Sequence, residues 1–76
     1  MPTFEYLALT LTNNVMHLQL ARPNKANAMN EKMWYEIGEA YHWINTQKDI
    51  HVVVLSGKGK QFSSGADINF LMRVME

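Results

Sequence analysis

A cluster of small residues is the part of this chain whose residue types could do chemistry: GKQFSSGADINF, at positions 59–70. Backbone N–H groups are unpaired and point outward at the start of a helix. Gly65 allows an unusual turn, and the small side chain of Ala66 lets a ligand reach the backbone amide. Such an amide can stabilise an oxygen that gains negative charge. The residues alone still favour a simpler interpretation, a tight strand-to-helix turn capped by Asp67.

Other catalytic or binding motifs are incomplete. The segment GKGKQF (57–62) lacks a dinucleotide fingerprint because Phe62 stands where the third glycine should be. A phosphate-binding P-loop fails because Gln61 follows Gly59-Lys60 and Val54 occupies the first glycine position. The histidines do not have metal-ligand spacing, and the serines lack a nucleophile elbow. We therefore predict no metal site.

Composition limits the possible classes of protein. The chain has 76 residues, 7 basic and 7 acidic side chains and no cysteine, which allows one small domain and no disulfide or thiolate site. The balanced charge gives no indication of nucleic-acid binding. We find no signal peptide and no membrane-spanning apolar run, so we expect a cytoplasmic protein without a membrane partner. A domain this small buries little surface, so we also expect a homo-oligomer.

The first half of the chain predicts a β-hairpin followed by a loop. Alternating apolar residues indicate strands over Phe4–Leu11 and Val15–Ala21, which should pair antiparallel. Asn13-Asn14 between them suits a tight turn, because asparagine tolerates left-handed backbone angles. RPNKANAMN (22–30) then breaks the strand pattern and is predicted to be a loop.

The second half predicts a helix, a strand and a second helix. Asn30 should cap the first helix, whose apolar face recurs at helical spacing: Met33, Ile37, Ala40 and Ile44. Four charged residues lie away from this face and should be solvated: Lys32, Glu36, Glu39 and Lys48. The β-branched Val52–Leu55 segment predicts a buried strand parallel to the second strand, and apolar spacing from Ile68 predicts another helix. The fold class is therefore α/β, a ββαβ(α) unit.

Two motifs resemble those of the crotonase family, also called the enoyl-CoA hydratase/isomerase family. They are RPNKANAMN and, after a helix, VVVLSGKGKQFSSGADI. The resemblance covers Val15 to Ile68, with both motifs in the order and at the separation typical of the family. It implies that residues 1–76 are the N-terminal portion of a crotonase-like domain, an incomplete part of the family's spiral of ββα turns. It also implies binding of acyl-CoA thioesters and assembly as trimers or hexamers.

The resemblance assigns a role to the second motif. The backbone N–H of Ala66 would be one of two donors that hold the thioester oxygen while an enolate forms. Ser64, Asp67 and Ile68 would line the thioester end of the same channel. This role is chemically coherent, because fixed amides stabilise a developing oxyanion without reorganising.

The first motif would contact the coenzyme portion of the substrate. Lys25, Ala26 and Ala28 would lie along the CoA, with Lys25 near its phosphates. The resemblance implies no tightly bound cofactor, since coenzyme A would enter as part of the substrate. The partner would be an acyl-CoA, provided that the rest of the domain is present.

In the family, the remaining catalytic groups follow the segment that these 76 residues resemble. These groups are a second amide donor, from a glycine at a later helix start, and the acid/base carboxylates. We therefore expect no measurable hydration of enoyl-CoA by these 76 residues alone. Two interpretations remain open: the N-terminal segment of an enoyl-CoA hydratase or isomerase, or a non-catalytic, self-associating scaffold derived from the crotonase fold.

Overall fold

The computed structural model describes residues 1–67, which form a three-stranded sheet and one α-helix. The strands are β1 (Leu7–Thr12), β2 (Val15–Leu20) and β3 (Val52–Gly57), and their order in the sheet is β1-β2-β3. A 3-10 helix (Pro23–Lys25) and the helix α1 (Glu31–Asn45) connect β2 to β3. The predicted α/β class and ββαβ order are confirmed, while the helix predicted from Ile68 lies outside the described residues.

The hairpin between β1 and β2 has the predicted antiparallel pairing and turn. Thr12 lies opposite Val15, so the turn contains only Asn13 and Asn14. Both asparagines have positive φ angles, 48° and 70°. A two-residue hairpin turn of the favoured type needs positive φ at both central positions, which explains the two asparagines.

The core forms where the apolar face of α1 packs against the hairpin. Asn30 begins the helix as predicted, because its side-chain oxygen accepts a hydrogen bond of 2.9 Å from the Met33 amide. The buried apolar side chains come from both strands, the loop and the helix: Leu7, Met16, Leu18, Leu20, Met29, Met33, Ala40 and Ile44. Burial of each such leucine or methionine side chain stabilises the fold by about 1.5–3 kcal/mol.

Glu36 is buried, which contradicts the prediction that it is solvated. Only 5% of the residue is exposed, and its carboxylate accepts hydrogen bonds from the amides of Glu5 (2.7 Å) and Tyr6 (2.8 Å). These bonds also explain why β1 begins at Leu7 and not at the predicted Phe4. The amides of Glu5 and Tyr6 bond to a side chain, so they are not available to a neighbouring strand.

The strand β3 is parallel to β2 as predicted, but it is not buried among the described residues. Val52, Val54 and Leu55 are 51%, 40% and 43% exposed. Only Val53 of this strand packs against the core. A β-branched run is typical of strands covered on both faces, whereas α1 is the only α-helix within residues 1–67.

Candidate functional site

The first loop of the candidate site reverses the chain directly after β2. Pro23 starts the 3-10 helix, where its fixed φ and missing N–H cost nothing. The Arg22 carbonyl accepts from the amides of Lys25 (3.1 Å) and Asn27 (2.9 Å). Ala26 and Asn27 both take left-handed φ angles, 51° and 54°. This turn brings the segment Ala26–Met29 beside the loop that follows β3.

The second loop leaves β3 at a point where only glycine fits. A Cβ atom on Gly57 would lie 2.3 Å from the Phe62 carbonyl oxygen and 2.6 Å from that of Gln61. The loop therefore folds back tightly over the end of its own strand. Further along, Gly65 has a φ of 104°, a conformation that side chains disfavour. Glycine is thus required immediately before Ala66, as the sequence predicts.

Asn27 joins the two loops through its side chain. It is fully buried, and its amide nitrogen donates to the carbonyls of Lys58 (2.8 Å) and Gln61 (2.9 Å). Its side-chain oxygen accepts from the Arg22 amide at 2.8 Å. All three hydrogen bonds are made in a buried setting, where an unpaired polar group would be costly. Asn27 therefore fixes the separation of the loops.

Ser63 and Ser64 add further bonds between the loops. The Ser63 hydroxyl donates to the Asn27 carbonyl (2.8 Å) and accepts from the Gly65 amide (3.0 Å). The Ser64 amide donates to the Ala26 carbonyl at 2.9 Å. Ser64 itself is exposed, as is Ala66. The loop structure of this segment thus depends on hydrogen bonds and not on apolar packing.

A parallel β-bridge between Met29 and Ala66 sets the direction of the Ala66 amide. The Met29 amide donates to the Gly65 carbonyl, and the Met29 carbonyl accepts from the Asp67 amide, both at 2.8 Å. In a parallel bridge the residues on either side of the paired position make the bonds, so the N–H of Ala66 points away from Met29. Within residues 1–67 this N–H has no hydrogen-bond acceptor.

A largely buried ion pair links the ends of both loops. Arg22 Nη1 lies 2.8 Å from Asp67 Oδ2 and also donates to the Ala28 carbonyl at 2.9 Å. The two charged side chains are 17% and 16% exposed. The guanidinium carbon lies 5.8 Å from the centre of the Tyr6 ring, within cation–π range. Asp67 is thus anchored within the protein.

A groove with a volume of about 400 Å³ opens beside the first loop. It is lined by residues from the 3-10 helix and the start of the second loop: Pro23, Ala26, Lys58, Gly59, Lys60 and Gln61. Lys25, Lys58 and Lys60 are exposed, so this side of the molecule carries positive charge suited to an anion. Of the predicted CoA contacts, Ala26 lines the groove.

The predicted site residues are only partly brought together. Hydrogen bonds join the loop of Ala26 and Ala28 to the loop of Ser64 and Ala66. The described residues do not include Ile68, whose predicted contact stays a prediction. The sequence patterns did not reveal Arg22 and Asn27 as site residues. An asparagine among alanines in a loop of small residues, after a lone arginine, was the signal that could have revealed them.

A larger cavity is lined by residues outside these loops. It has a volume of about 720 Å³ and is lined by residues of the N-terminal segment and α1: Pro2, Phe4, Glu31, Trp34, Tyr35, Gly38, Glu39, His42 and Trp43. None of the predicted site residues lines it. We therefore place the candidate site at the smaller groove and the loop junction, where amide donors and lysines occur.

Two exposed groups have shifted pKa values. A side-chain hydrogen bond from Lys32 lowers the pKa of Glu5, and the same bond raises the pKa of Lys32. Among residues 1–67 we find no cluster of acidic, histidine or cysteine side chains able to hold a metal ion. In that same part of the chain, no helix has the length and apolarity needed to cross a bilayer.

Comparison with known proteins identifies the family. Residues 10–76 match the family model for enoyl-CoA hydratase/isomerase. The mitochondrial Delta(3,5)-Delta(2,4)-dienoyl-CoA isomerase of Homo sapiens is 43% identical over 70 residues, which cover 88% of this chain and 21% of the relative. The Mus musculus protein of the same name is 47% identical over 55 residues, covering 72% of this chain and 17% of the relative. The chain spans about a fifth of the length of these curated relatives.

Solved structures agree with the sequence comparison. An enoyl-CoA hydratase from Shewanella pealeana superposes with a TM-score of 0.85 at 32% identity, covering 91% of this chain and 26% of that one. An enoyl-CoA hydratase/isomerase from Xanthobacter autotrophicus Py2 superposes with a TM-score of 0.86 at 27% identity. The superposition covers 96% of this chain and 27% of that one. The family match extends over both loops of the candidate site. The chain belongs to the enoyl-CoA hydratase/isomerase, or crotonase, family.

Proposed function

We propose that this chain binds an acyl-CoA thioester and that the Ala66 amide donates a hydrogen bond to the thioester oxygen. In this role it forms the N-terminal part of an enoyl-CoA hydratase or isomerase. The names of its relatives, dienoyl-CoA isomerase and enoyl-CoA hydratase among them, specify acyl derivatives of CoA. The proposal extends that substrate class to this chain.

The direction of the Ala66 N–H is the observation that carries the proposal. The bridge to Met29 uses the groups on either side of Ala66, so the N–H points away from Met29, and Ala66 itself is exposed. The backbone around it is held by hydrogen bonds from both neighbours, Gly65 and Asp67. A donor fixed before the reaction stabilises a developing enolate oxygen without reorganising, and removal of one such donor costs about 3–4 kcal/mol in known cases.

The basic groove supports the binding half of the proposal. Lys58 and Lys60 line it together with Ala26, and Lys25 lies exposed on the adjoining 3-10 helix. The phosphates of coenzyme A are strong acceptors that lysine side chains bind as point charges. The Ser64 amide donates to the carbonyl of the groove residue Ala26, which connects the groove to the Ala66 segment. In the proposed complex one ligand contacts both. These residues thus supply binding and one hydrogen-bond donor.

An amide-resolved titration tests this function on the 76-residue chain. The ¹⁵N-labelled chain is titrated with coenzyme A and separately with acetyl-CoA, after circular dichroism has shown that it is folded. We expect both ligands to shift the amides of residues 25–28 and 58–61. Only acetyl-CoA, which carries a thioester oxygen, should shift the Ala66 amide downfield.

The matched variants are Ala66→Pro and Ala66→Gly. Proline removes the N–H, whereas glycine retains it. Glycine should keep the preference for acetyl-CoA over coenzyme A, and proline should remove this preference. An Ala66 amide that responds equally to both ligands, or to neither, would overturn the proposal.

Exposed apolar residues favour the alternative function, a non-catalytic self-associating scaffold. Val52, Val54, Leu55 and Phe62 are all 40% or more exposed, and such surface promotes association. Sedimentation of the chain, with and without coenzyme A, separates the two functions. A stable oligomer that ignores coenzyme A supports the scaffold, whereas coenzyme A binding supports the acyl-CoA function.

A further inference from the structure

One arginine side chain contacts both loops of the candidate site. Arg22 Nη1 donates to the Ala28 carbonyl on the first loop (2.9 Å) and to Asp67 Oδ2 on the second (2.8 Å). Its own backbone is fixed as well, because its amide donates to Asn27 Oδ1 at 2.8 Å. The Tyr6 ring covers the guanidinium at 5.8 Å. Arg22 is therefore held at its backbone amide, at the guanidinium carbon beside the Tyr6 ring and at Nη1.

The contact with Asp67 bears directly on the orientation of the neighbouring amide. Asp67 follows Ala66 in the chain, and its own amide donates to the Met29 carbonyl at 2.8 Å. Rotation of the Ala66 backbone would displace Asp67 and break the ion pair with Arg22. Because that pair is largely buried, at 17% and 16% exposure, separating its charges is costly. The ion pair thus resists rotation of the Ala66 N–H.

We infer that Arg22 is a positioning residue for the Ala66 oxyanion donor, acting through Asp67 and without contact to the thioester. This inference rests on the proposed function, since it concerns the orientation of the same amide. Arginine suits the role because one guanidinium nitrogen, Nη1, donates to both acceptors while the guanidinium carbon lies within cation–π range of the Tyr6 ring. Lysine keeps the charge but lacks the planar guanidinium, so it should position the amide only in part.

The first measurement needs no ligand. Backbone ¹⁵N relaxation gives the order parameter of the Ala66 N–H in the free chain. We expect a value near 0.85 in the wild type and below about 0.6 in Arg22→Met, the ranges of rigid and flexible backbone. Arg22→Lys should lie between them, and Asp67→Asn should resemble Arg22→Met. The matched control is Lys48→Met, which removes an exposed cation beyond the end of α1 and should leave Ala66 rigid.

The second measurement uses coenzyme A and acetyl-CoA as probes. In Arg22→Met the affinity for coenzyme A should change less than about threefold, a shift under 1 kcal/mol, because the lysines of the groove are unchanged. The acetyl-CoA-specific shift of the Ala66 amide should be lost. A purely structural role for Arg22 predicts instead that both ligands weaken together as the fold loosens. Partial recovery of the acetyl-CoA-specific Ala66 shift in Arg22→Lys would support the positioning role of Arg22.

The outcomes separate this inference from the function on which it rests. If wild-type Ala66 does not respond to acetyl-CoA, the proposed function fails and the inference fails with it. If the wild type responds and Arg22→Met retains the rigid amide and the full response, only the inference is overturned. Should Arg22→Met not fold, Asp67→Asn decides by the same criteria, since it keeps the side-chain shape and removes the charge.

Discussion

The core and the loop junction of this molecule are stabilised by different forces. The core beneath α1 consists of apolar side chains such as Leu18 and Met33, both fully buried. The junction between the loops has Asn27 at its centre, also fully buried but bonded to three backbone groups. Apolar packing is non-directional, whereas hydrogen bonds specify distance and angle. The core should therefore determine whether the chain folds, and the junction where the Ala66 amide lies.

The largest effect should come from the core, through Leu18→Ala. This side chain is fully buried on β2 opposite Leu9. Its truncation leaves a cavity and should lower the free energy of unfolding by about 2–5 kcal/mol. Urea denaturation followed by circular dichroism measures the change. Leu11→Ala is the control, because Leu11 lies on the same hairpin and is 45% exposed. Equal losses in both variants would contradict the assigned core.

A smaller and more local effect is expected from Asn27→Ala. The change removes three hydrogen bonds and places alanine at a φ of 54°, so the free energy of unfolding should fall by about 2–3 kcal/mol. Hydrogen exchange should accelerate more at the Ser64 and Asp67 amides than within β2. The neighbouring, exposed Asn24 provides the control, Asn24→Ala. Equal acceleration of hydrogen exchange at all amides of the sheet would show that the loop junction and the core unfold as one cooperative unit.

The smallest effect concerns an exposed ion pair that contrasts with the pair of Arg22 and Asp67. Lys32 and Glu5 are 58% and 53% exposed. Bonding to Lys32 lowers the pKa of Glu5 from 4.5, so the pair stabilises the fold above that pH and weakens as the pH falls. Bonding to Glu5 raises the pKa of Lys32 from 10.5, so the same contribution is lost at still higher pH.

Comparison of wild type with Lys32→Met tests this contrast. The difference in urea midpoint should be small at pH 7, should shrink further below pH 4.5 and should shrink in high salt, because exposed pairs are screened. A difference as large as that of Asn27→Ala would contradict the ranking. So would a difference that grows as the pH falls.

Prediction from the sequence succeeded where local patterns carry the information. The hairpin turn at Asn13-Asn14 and the cap at Asn30 follow from short-range rules. The parallel pairing of the strand predicted over Val52–Leu55 follows from the helix that connects it to the second strand. The predictions of a buried β3 and a solvated Glu36 were wrong. Burial depends on what packs against a residue, and no local pattern reports that.

The order of elements, the helix cap, the turn and the family were determined by the sequence itself, because periodicity, capping and motif spacing are properties of neighbouring residues. Only the tertiary structure decided that Asn27 and Arg22 connect loops more than 30 positions apart and that Glu36 bonds to the amides before β1. It also decided that the Ala66 N–H points outward from its bridge with Met29. Those features arise from contacts between distant residues, which form only when the chain closes on itself.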